Sequence, residues 1–296
     1  MPIPSLSKFV SLLTGWLDIE DTNPAAPASN RVRLFRRTLA RRDLPAFIGA
    51  SGAARVLQSA IALGKIGVWQ PGGNSTTVPG LFGMMALTAL GTAANRGIAT
   101  TNALTRQKRL GYVSAAAINS FAGIRLGAGQ VTLGDGAGLG GFDIVHHFAI
   151  TDAVLVTTAR TFVGIANSSA APTDVEPSTL LNCVGVGHGA ADTNLKIFYG
   201  GSAAQAPIDL GAGFPNSLNI PYRLALFSPP NTANVVNYEV TRLDTGATVS
   251  GVLTGAAAVI PQSSMLLTPI QIWRSTNAGT VAVALDIGGL YVETDS

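Results

Sequence analysis

The alternation of apolar and polar positions is strongest in the second half of the chain. Residues 222–254, YRLALFSPPNTANVVNYEVTRLDTGATVSGVLT, hold three runs with a period of two, at 222–227, 236–243 and 247–253. That period sends successive side chains to opposite faces, so each run can bury one side and solvate the other. Ser228-Pro229-Pro230-Asn231 separates the first pair, and Asp244-Thr245-Gly246 closes the second as a tight hairpin. Further runs predict strands over 142–150, 160–166, 180–186, 194–199, 270–273 and 281–292. Asn167-Ser168-Ser169, Gly187-His188-Gly189, Gly200-Gly201 and Asn277-Ala278-Gly279 mark the turns between them. Many short strands with such punctuation indicate a two-sheet antiparallel β-sandwich over 142–296.

The first half is patterned differently. Leu6, Phe9, Val10, Leu13 and Leu17 recur at helical spacing, which predicts a short amphipathic helix. Asp18, Glu20 and Asp21 at its end oppose the helix dipole, so it should need a partner to dock on. Residues 22–30, TNPAAPASN, form a linker. Residues 31–42, RVRLFRRTLARR, read either as an extended basic strand or as a basic helix. Residues 52–64 predict a second short helix with Gly64 as its C-cap, 65–70 a strand, and 101–110 a third short helix. Residues 78–98 are small and uncharged until Arg96 and fit burial between chains. The expected organisation is an anchor over 1–45, a Gly/Ala-rich trimerising region over 46–141 and the sandwich over 142–296.

Composition sharpens this. Only 12% of the 296 residues are charged while 47% are hydrophobic. A solitary soluble domain carries about 25% charge, so much of the surface should be covered, most simply by further copies of the chain. Net charge is only +3, yet Arg31, Arg33, Arg36, Arg37, Arg41 and Arg42 crowd into twelve positions. Nucleic acid would demand a larger basic footprint with interleaved aromatics, and Phe35 is the sole aromatic here, so an acidic protein socket is the better partner. One cysteine, Cys183, excludes an intrachain disulfide. Neither a signal peptide nor a run long enough to cross a membrane is visible, so no membrane insertion is expected.

The chemistry-bearing residues are few. His146 and His147 are adjacent in a strand pattern and point to opposite faces, and His188 lies in a glycine turn, so no metal site and no cofactor is expected. Gly136, Gly138 and Gly141 match G-x-G-x-x-G, but a strand pattern follows where a dinucleotide site needs a helix. There is no nucleophile elbow and no carboxylate pair legible from spacing, so no catalytic residue is expected. Tyr199, Phe214, Tyr222 and Trp273 are the candidates for stacking on sugar rings, the alternative for each being a place in the core.

Short matches in order run through residues 31–296. They include Arg33–Phe47 (RLFRRTLARRDLPAF), Val68–Gly80 (VWQPGGNSTTVPG), Leu104–Ala115 (LTRQKRLGYVSA), Phe162-Val163-Gly164-Ile165, Ala171-Pro172-Thr173, Tyr199-Gly200-Gly201, Phe227-Ser228-Pro229-Pro230 and the closing Tyr291-Val292-Glu293-Thr294-Asp295. Through these the chain resembles a family of virion fibre proteins of tailed bacteriophages. The resemblance implies a homotrimeric, non-enzymatic virion component with an N-terminal anchor and a lectin-like or jelly-roll-like sandwich. On that basis the chain is expected to be a tail fibre. Its anchor, Leu6, Phe9, Val10, Leu13, Leu17, Arg31, Arg33, Phe35, Arg36, Arg37, Arg41 and Arg42, would seat on a tail adaptor or nozzle, and its sandwich would meet host cell-surface polysaccharide. A capsid-surface head fibre or decoration protein is the alternative, and a polysaccharide-depolymerising tailspike a further one.

Overall fold

The computed structural model describes residues 24–50, 54–56, 65–71 and 87–294. The helix expected around Leu6, Phe9, Val10, Leu13 and Leu17 lies outside them. The chain divides into two compact units, 1–60 and 61–296.

In the first unit the arginine segment is a strand. β1 (Val32–Leu39) pairs antiparallel with β2 (Arg42–Gly49), from Val32↔Gly49 to Leu39↔Arg42. Ala40 and Arg41 make the two-residue turn, both with positive φ (47° and 64°). That geometry matches the twist of a hairpin but usually recruits Gly or Asn, which is why no turn signal marks it. β3 (Ala54–Val56) extends the sheet on the far side of β2 through Ala46↔Val56. The helix expected over 52–64 is therefore overturned at 54–56, where strand pairing outweighs a helical pattern in a short apolar run. Phe35, Ala46 and Ile48 form the core of this unit. Phe35, expected to bury against an outside socket, is instead spent inside its own sheet.

The second unit is a sandwich of two antiparallel sheets. One has the order β13-β12-β11-β10-β17-β8-β5, made of Ile208–Asp209, Lys196–Gly200, Cys183–His188, Arg160–Ala166, Thr268–Ser275, Phe121–Leu126 and Leu87–Leu90. The other runs β16-β15-β14-β9-β18-β7-β6, made of Thr248–Thr254, Val235–Arg242, Tyr222–Ser228, Phe142–Ile150, Ala284–Thr294, Leu110–Val113 and Thr92–Asn95. β4 (Lys65–Trp69) completes it on β18. β7 and β4 share one side of β18 end to end, β7 along Ala284–Ile287 and β4 along Leu290–Thr294. The register with β9 slips between Ile287 and Leu290, where Gly288 and Gly289 sit.

The sandwich thus draws five strands, β4 to β8, from the stretch expected to be a separate trimerising region. These strands take sides in the same two sheets, and the unit boundary falls near residue 60 rather than 141. Residues 101–110 are turns rather than the expected helix. Asn102 and Thr105 bond each other's main chain (Thr105 N to Asn102 Oδ1 2.9 Å, Asn102 N to Thr105 Oγ1 3.0 Å), the local competition that keeps such residues out of helices.

Inward positions of both sheets fill the core, with Val163, Ile165, Val184, Val186, Ile270 and Ile272 facing Ile144, Phe148, Leu224, Leu226 and Ile287. At one end a polar clasp joins the sheets. Asp152 Oδ1 accepts from Arg274 Nε on β17 (3.0 Å) and from Ala284 N on β18 (2.7 Å), while its Oδ2 accepts from Arg274 Nη2 and Val156 N. Arg274 Nη1 donates to His188 Nε2 on β11 (2.7 Å). All three side chains are fully or almost fully buried. Every acceptor of the carboxylate is used, as burial of an ion pair requires.

Candidate functional site

The outer face of the seven-stranded sheet carries large side chains from alternate positions. Trp273 and Phe162 are direct cross-strand neighbours, and Phe198 follows on β12. Glycines flank them: Gly123 opposite Trp273, and Gly187 opposite Phe162. Gly185 leaves the space the Phe162 ring occupies, since a Cβ there would lie 2.7 Å from that ring. Trp273 meets Phe162 at 6.1 Å between centroids and Phe121 edge-on at 6.0 Å, attractive ring geometries.

The loop between β10 and β11 lies over this face. It is pinned by Gln271 Nε2 to Ser168 O (2.7 Å), by Arg125 Nη1 to Ser169 O and by Asn167 N to Asn182 O (3.0 Å). Beneath it is a cleft of about 260 Å³ whose floor is Trp273 and Phe162 and whose wall is Leu180, Leu181 and Cys183. Trp273 is only 3% exposed, so the cleft reaches an edge of its ring; Leu181, 49% exposed, forms the rim. Burial pushes the Cys183 thiol up to about 12, which leaves it protonated and unreactive.

The same loop borders a second, charged cleft of about 390 Å³ with Glu176, Asp192, Lys196 and Phe198 in its lining. Glu176 Oε1 accepts from Arg160 Nε (2.8 Å) and its Oε2 from Ala190 N (3.2 Å). Asp192 pairs with Lys196 Nζ at 2.6 Å, which holds the Lys196 ammonium above its usual range, and it accepts from Gly189 N at 2.7 Å. A Cβ at residue 189 would stand 2.4 Å from Glu176 Oε2 and displace the end of that side chain. The one-turn 3-10 helix Pro177–Thr179 lies between these lining residues: Glu176 and Ser178 serve the charged cleft, Leu180 and Leu181 the apolar one.

The four aromatic candidates do not come together. Phe214 (3% exposed) and Tyr222 (0%) are core residues, stacked on each other at 6.3 Å, and the Tyr222 hydroxyl donates to Pro215 O at 2.8 Å. Tyr199 is half-buried and packs on the main core from the inner face. Burial makes Phe214 and Tyr222 structural rather than sugar-facing, and Trp273 lines the apolar cleft. Phe162, Leu180, Glu176, Asp192 and Lys196 were missed as site residues. Lys196 alternates with the inward Ile197 and so was assignable to the outer face; the loop that assembles the rest leaves no periodic signal.

Of the arginine group, Arg31, Arg33 and Arg41 are exposed. Arg36 Nη1 pairs with Asp43 at 3.2 Å, and Arg37 and Arg42 are half-buried. Among the described residues no group of three or more His, Cys, Asp or Glu is placed to hold a metal ion. His146 is sealed in the interior and His147 is half-buried on the other face. The glycine-rich loop is folded around a carboxylate of its own: Asp135 Oδ1 accepts from Ala137 N (2.7 Å) and Leu139 N (3.0 Å), and Gly136 N and Gly138 N donate to Pro230 O. It leads into a strand.

This arrangement is that of a lectin-like antiparallel β-sandwich. Among solved structures the chain is similar to peanut lectin with a nine-residue peptide, with a TM-score of 0.51 and 10% identity over 78% of this chain and 98% of that one. It is also similar to arcelin-5, a lectin-like defense protein from Phaseolus vulgaris (TM-score 0.47, 8% identity, 78% and 97% covered). A protein of unknown function from Shewanella oneidensis matches at a TM-score of 0.42 and 11% identity, with 78% and 87% covered. At such identities the likeness concerns the fold. No family model and no curated protein matches the chain.

Proposed function

We propose that this chain is an adhesion protein of fibre type, whose sandwich binds saccharide and whose basic N-terminal hairpin mounts it on a particle, as in a tail fibre of a tailed bacteriophage. The observation that carries the binding half is the aromatic-floored cleft beside a charged one, a sugar-sized apolar surface next to hydrogen-bonding groups. Self-association into a homotrimer would multiply weak contacts into firm attachment. The low charge content and the arginine cluster support the mounting half.

Titration of the full chain with host-surface polysaccharide fragments, followed by tryptophan fluorescence, tests the binding half. Binding should perturb the emission, and Leu181→Asn at the exposed rim should weaken it about tenfold without changing the fold; a Leu181→Asn chain that binds as well as the parent would overturn the cleft assignment. Deleting residues 1–42 tests the mounting half: the truncated chain should no longer join particles. Glu176 and Asp192 in one cleft favour a second reading, a polysaccharide-depolymerising spike. That reading requires release of reducing ends from the polysaccharide, lost in both Glu176→Gln and Asp192→Asn.

A further inference from the structure

We infer that the saccharide this chain binds carries a neutral acyl group, and that the acyl group is what enters the cleft over Trp273. The inference rests on the saccharide reading above and names the class of saccharide. A sugar ring stacks on an aromatic side chain only where a ring face is open. Trp273 and Phe162 are 3% and 1% exposed and tilted against each other, and Phe121 meets Trp273 edge-on. Neither ring offers a platform. The cleft, about 260 Å³, is also smaller than the ~300–1,000 Å³ that enclose a whole drug-sized ligand, so it takes part of a ligand.

The lining defines which part. Its walls include the aliphatic or small side chains of Ala166, Ala171, Pro172, Leu180 and Leu181, and no charged side chain is among them. Two of its polar groups, the Gln271 amide and the Ser168 carbonyl, are bonded to each other at 2.7 Å. A sugar hydroxyl pressed into this cleft would exchange water for few partners, and a carboxylate would fare worse, whereas a methylene loses nothing. The charged cleft answers the rest of the ligand. The two clefts share one aromatic cluster, with Phe198 lining the charged one and Phe162 and Trp273 the apolar one. In the charged cleft Glu176 is paired with Arg160 and Asp192 with Lys196. Those carboxylates are neutralised within the protein yet keep lone pairs for hydroxyl groups, which suits an uncharged sugar edge. An alkyl group alone, from a lipid or a protein side chain, would fill the apolar cleft and leave the charged one idle.

The test titrates the full chain with five neutral probes: methyl glucoside, the methyl glycosides of N-acetyl-, N-butanoyl- and N-hexanoylglucosamine, and hexanamide. A fully buried methylene tightens binding about fourfold, so the four that separate hexanoyl from acetyl should give a gain of at least about tenfold even where burial is partial. Saturation-transfer NMR should place the acyl protons nearest the protein. Leu181→Asn, at the 49% exposed rim, should cut the hexanoyl-to-acetyl ratio about threefold and leave methyl glucoside binding as it was. Affinity that does not rise with acyl length overturns the inference. So does hexanamide binding as tightly as the N-hexanoyl glycoside, a ratio unmoved in Leu181→Asn, or failure of every probe to bind. If host polysaccharide fragments still bind in any of these cases, the saccharide reading stands and the acyl group alone is refuted. If the fragments do not bind either, the saccharide reading is refuted with it.

Discussion

Acidification should begin to destabilise the sandwich well above the pH at which its carboxylates protonate. His146 and His188 are both completely buried. Desolvation lowers each to about 3 from an ordinary value of 6.5, reinforced at His188 by the Arg274 guanidinium. At His188 the neutral form is also dictated by geometry, since Nε2 accepts from Arg274 Nη1 and only Nδ1 is left to donate, to Gly189 O at 3.1 Å. A folded value below the unfolded one means the unfolded chain takes the proton first. The stabilisation is complete above pH 6.5, is lost as the pH falls through the window from 6.5 to about 3, and changes no further below that. Each pH unit within the window costs about 1.4 kcal/mol per imidazole. At pH 5 the two together cost about 4 kcal/mol, a large part of the ~5–15 kcal/mol that holds a domain folded. His147 shifts in the same direction through burial and the Arg223 charge, but it is partly exposed and contributes less. Urea unfolding followed by tryptophan fluorescence at pH 7.5, 6.5, 5.5 and 5 measures the slope directly. His146→Leu should remove about half of it. A free energy of unfolding that is flat to within about 1 kcal/mol from pH 7 to pH 5 would refute the reasoning, as would a slope unaltered in His146→Leu.

Three further outcomes are expected. Asp152→Asn leaves the buried Arg274 guanidinium without its carboxylate and should destabilise by about 3–5 kcal/mol, read as a fall in the urea midpoint with unchanged m-value. Gly134→Ala places a Cβ 2.0 Å from the Pro229 carbonyl oxygen. Backbone must then move, so a loss of about 1–3 kcal/mol in the same assay is expected. Cys183 should resist thiol reagents in the native chain at pH 8 and react on addition of urea; prompt native labelling would contradict its burial and raised pKa.

Most strands from β9 onward were legible because alternation and turn residues agree there, as at 236–243 and Asp244-Thr245-Gly246; the exceptions are the two-residue β13, and Gly187-His188, expected as a turn but part of β11. β5 and β6 were not. Leu87–Leu90 (LTAL) and Thr92–Asn95 (TAAN) are built of small residues with little contrast between faces, and they form because β8 and β7 offer paired partners. Strand β17 shows a deeper limit. Its alternation is plain, yet Arg274 points inward with Ile270 and Ile272 while Trp273 points out. Nothing in the sequence marks Arg274 as the inward one, because the carboxylate that permits a buried guanidinium lies more than a hundred residues away at Asp152. Phe214 and Tyr222 were offered as surface aromatics for the same reason: the residues that cover them come from other strands. The cleft could not be read at all, being formed by a loop held to the sheet by contacts between residues far apart in sequence, such as Gln271 and Arg125 donating to the carbonyls of Ser168 and Ser169.

The Asp152 clasp has a mechanical meaning. Its carboxylate is bolted to β17 in one layer and to β18 in the other, so shear between the layers cannot proceed there in small steps. Parting them strips a guanidinium and a carboxylate of their partners at once, inside oil-like surroundings. Load applied across the sandwich is therefore held at this end up to a threshold and then released abruptly.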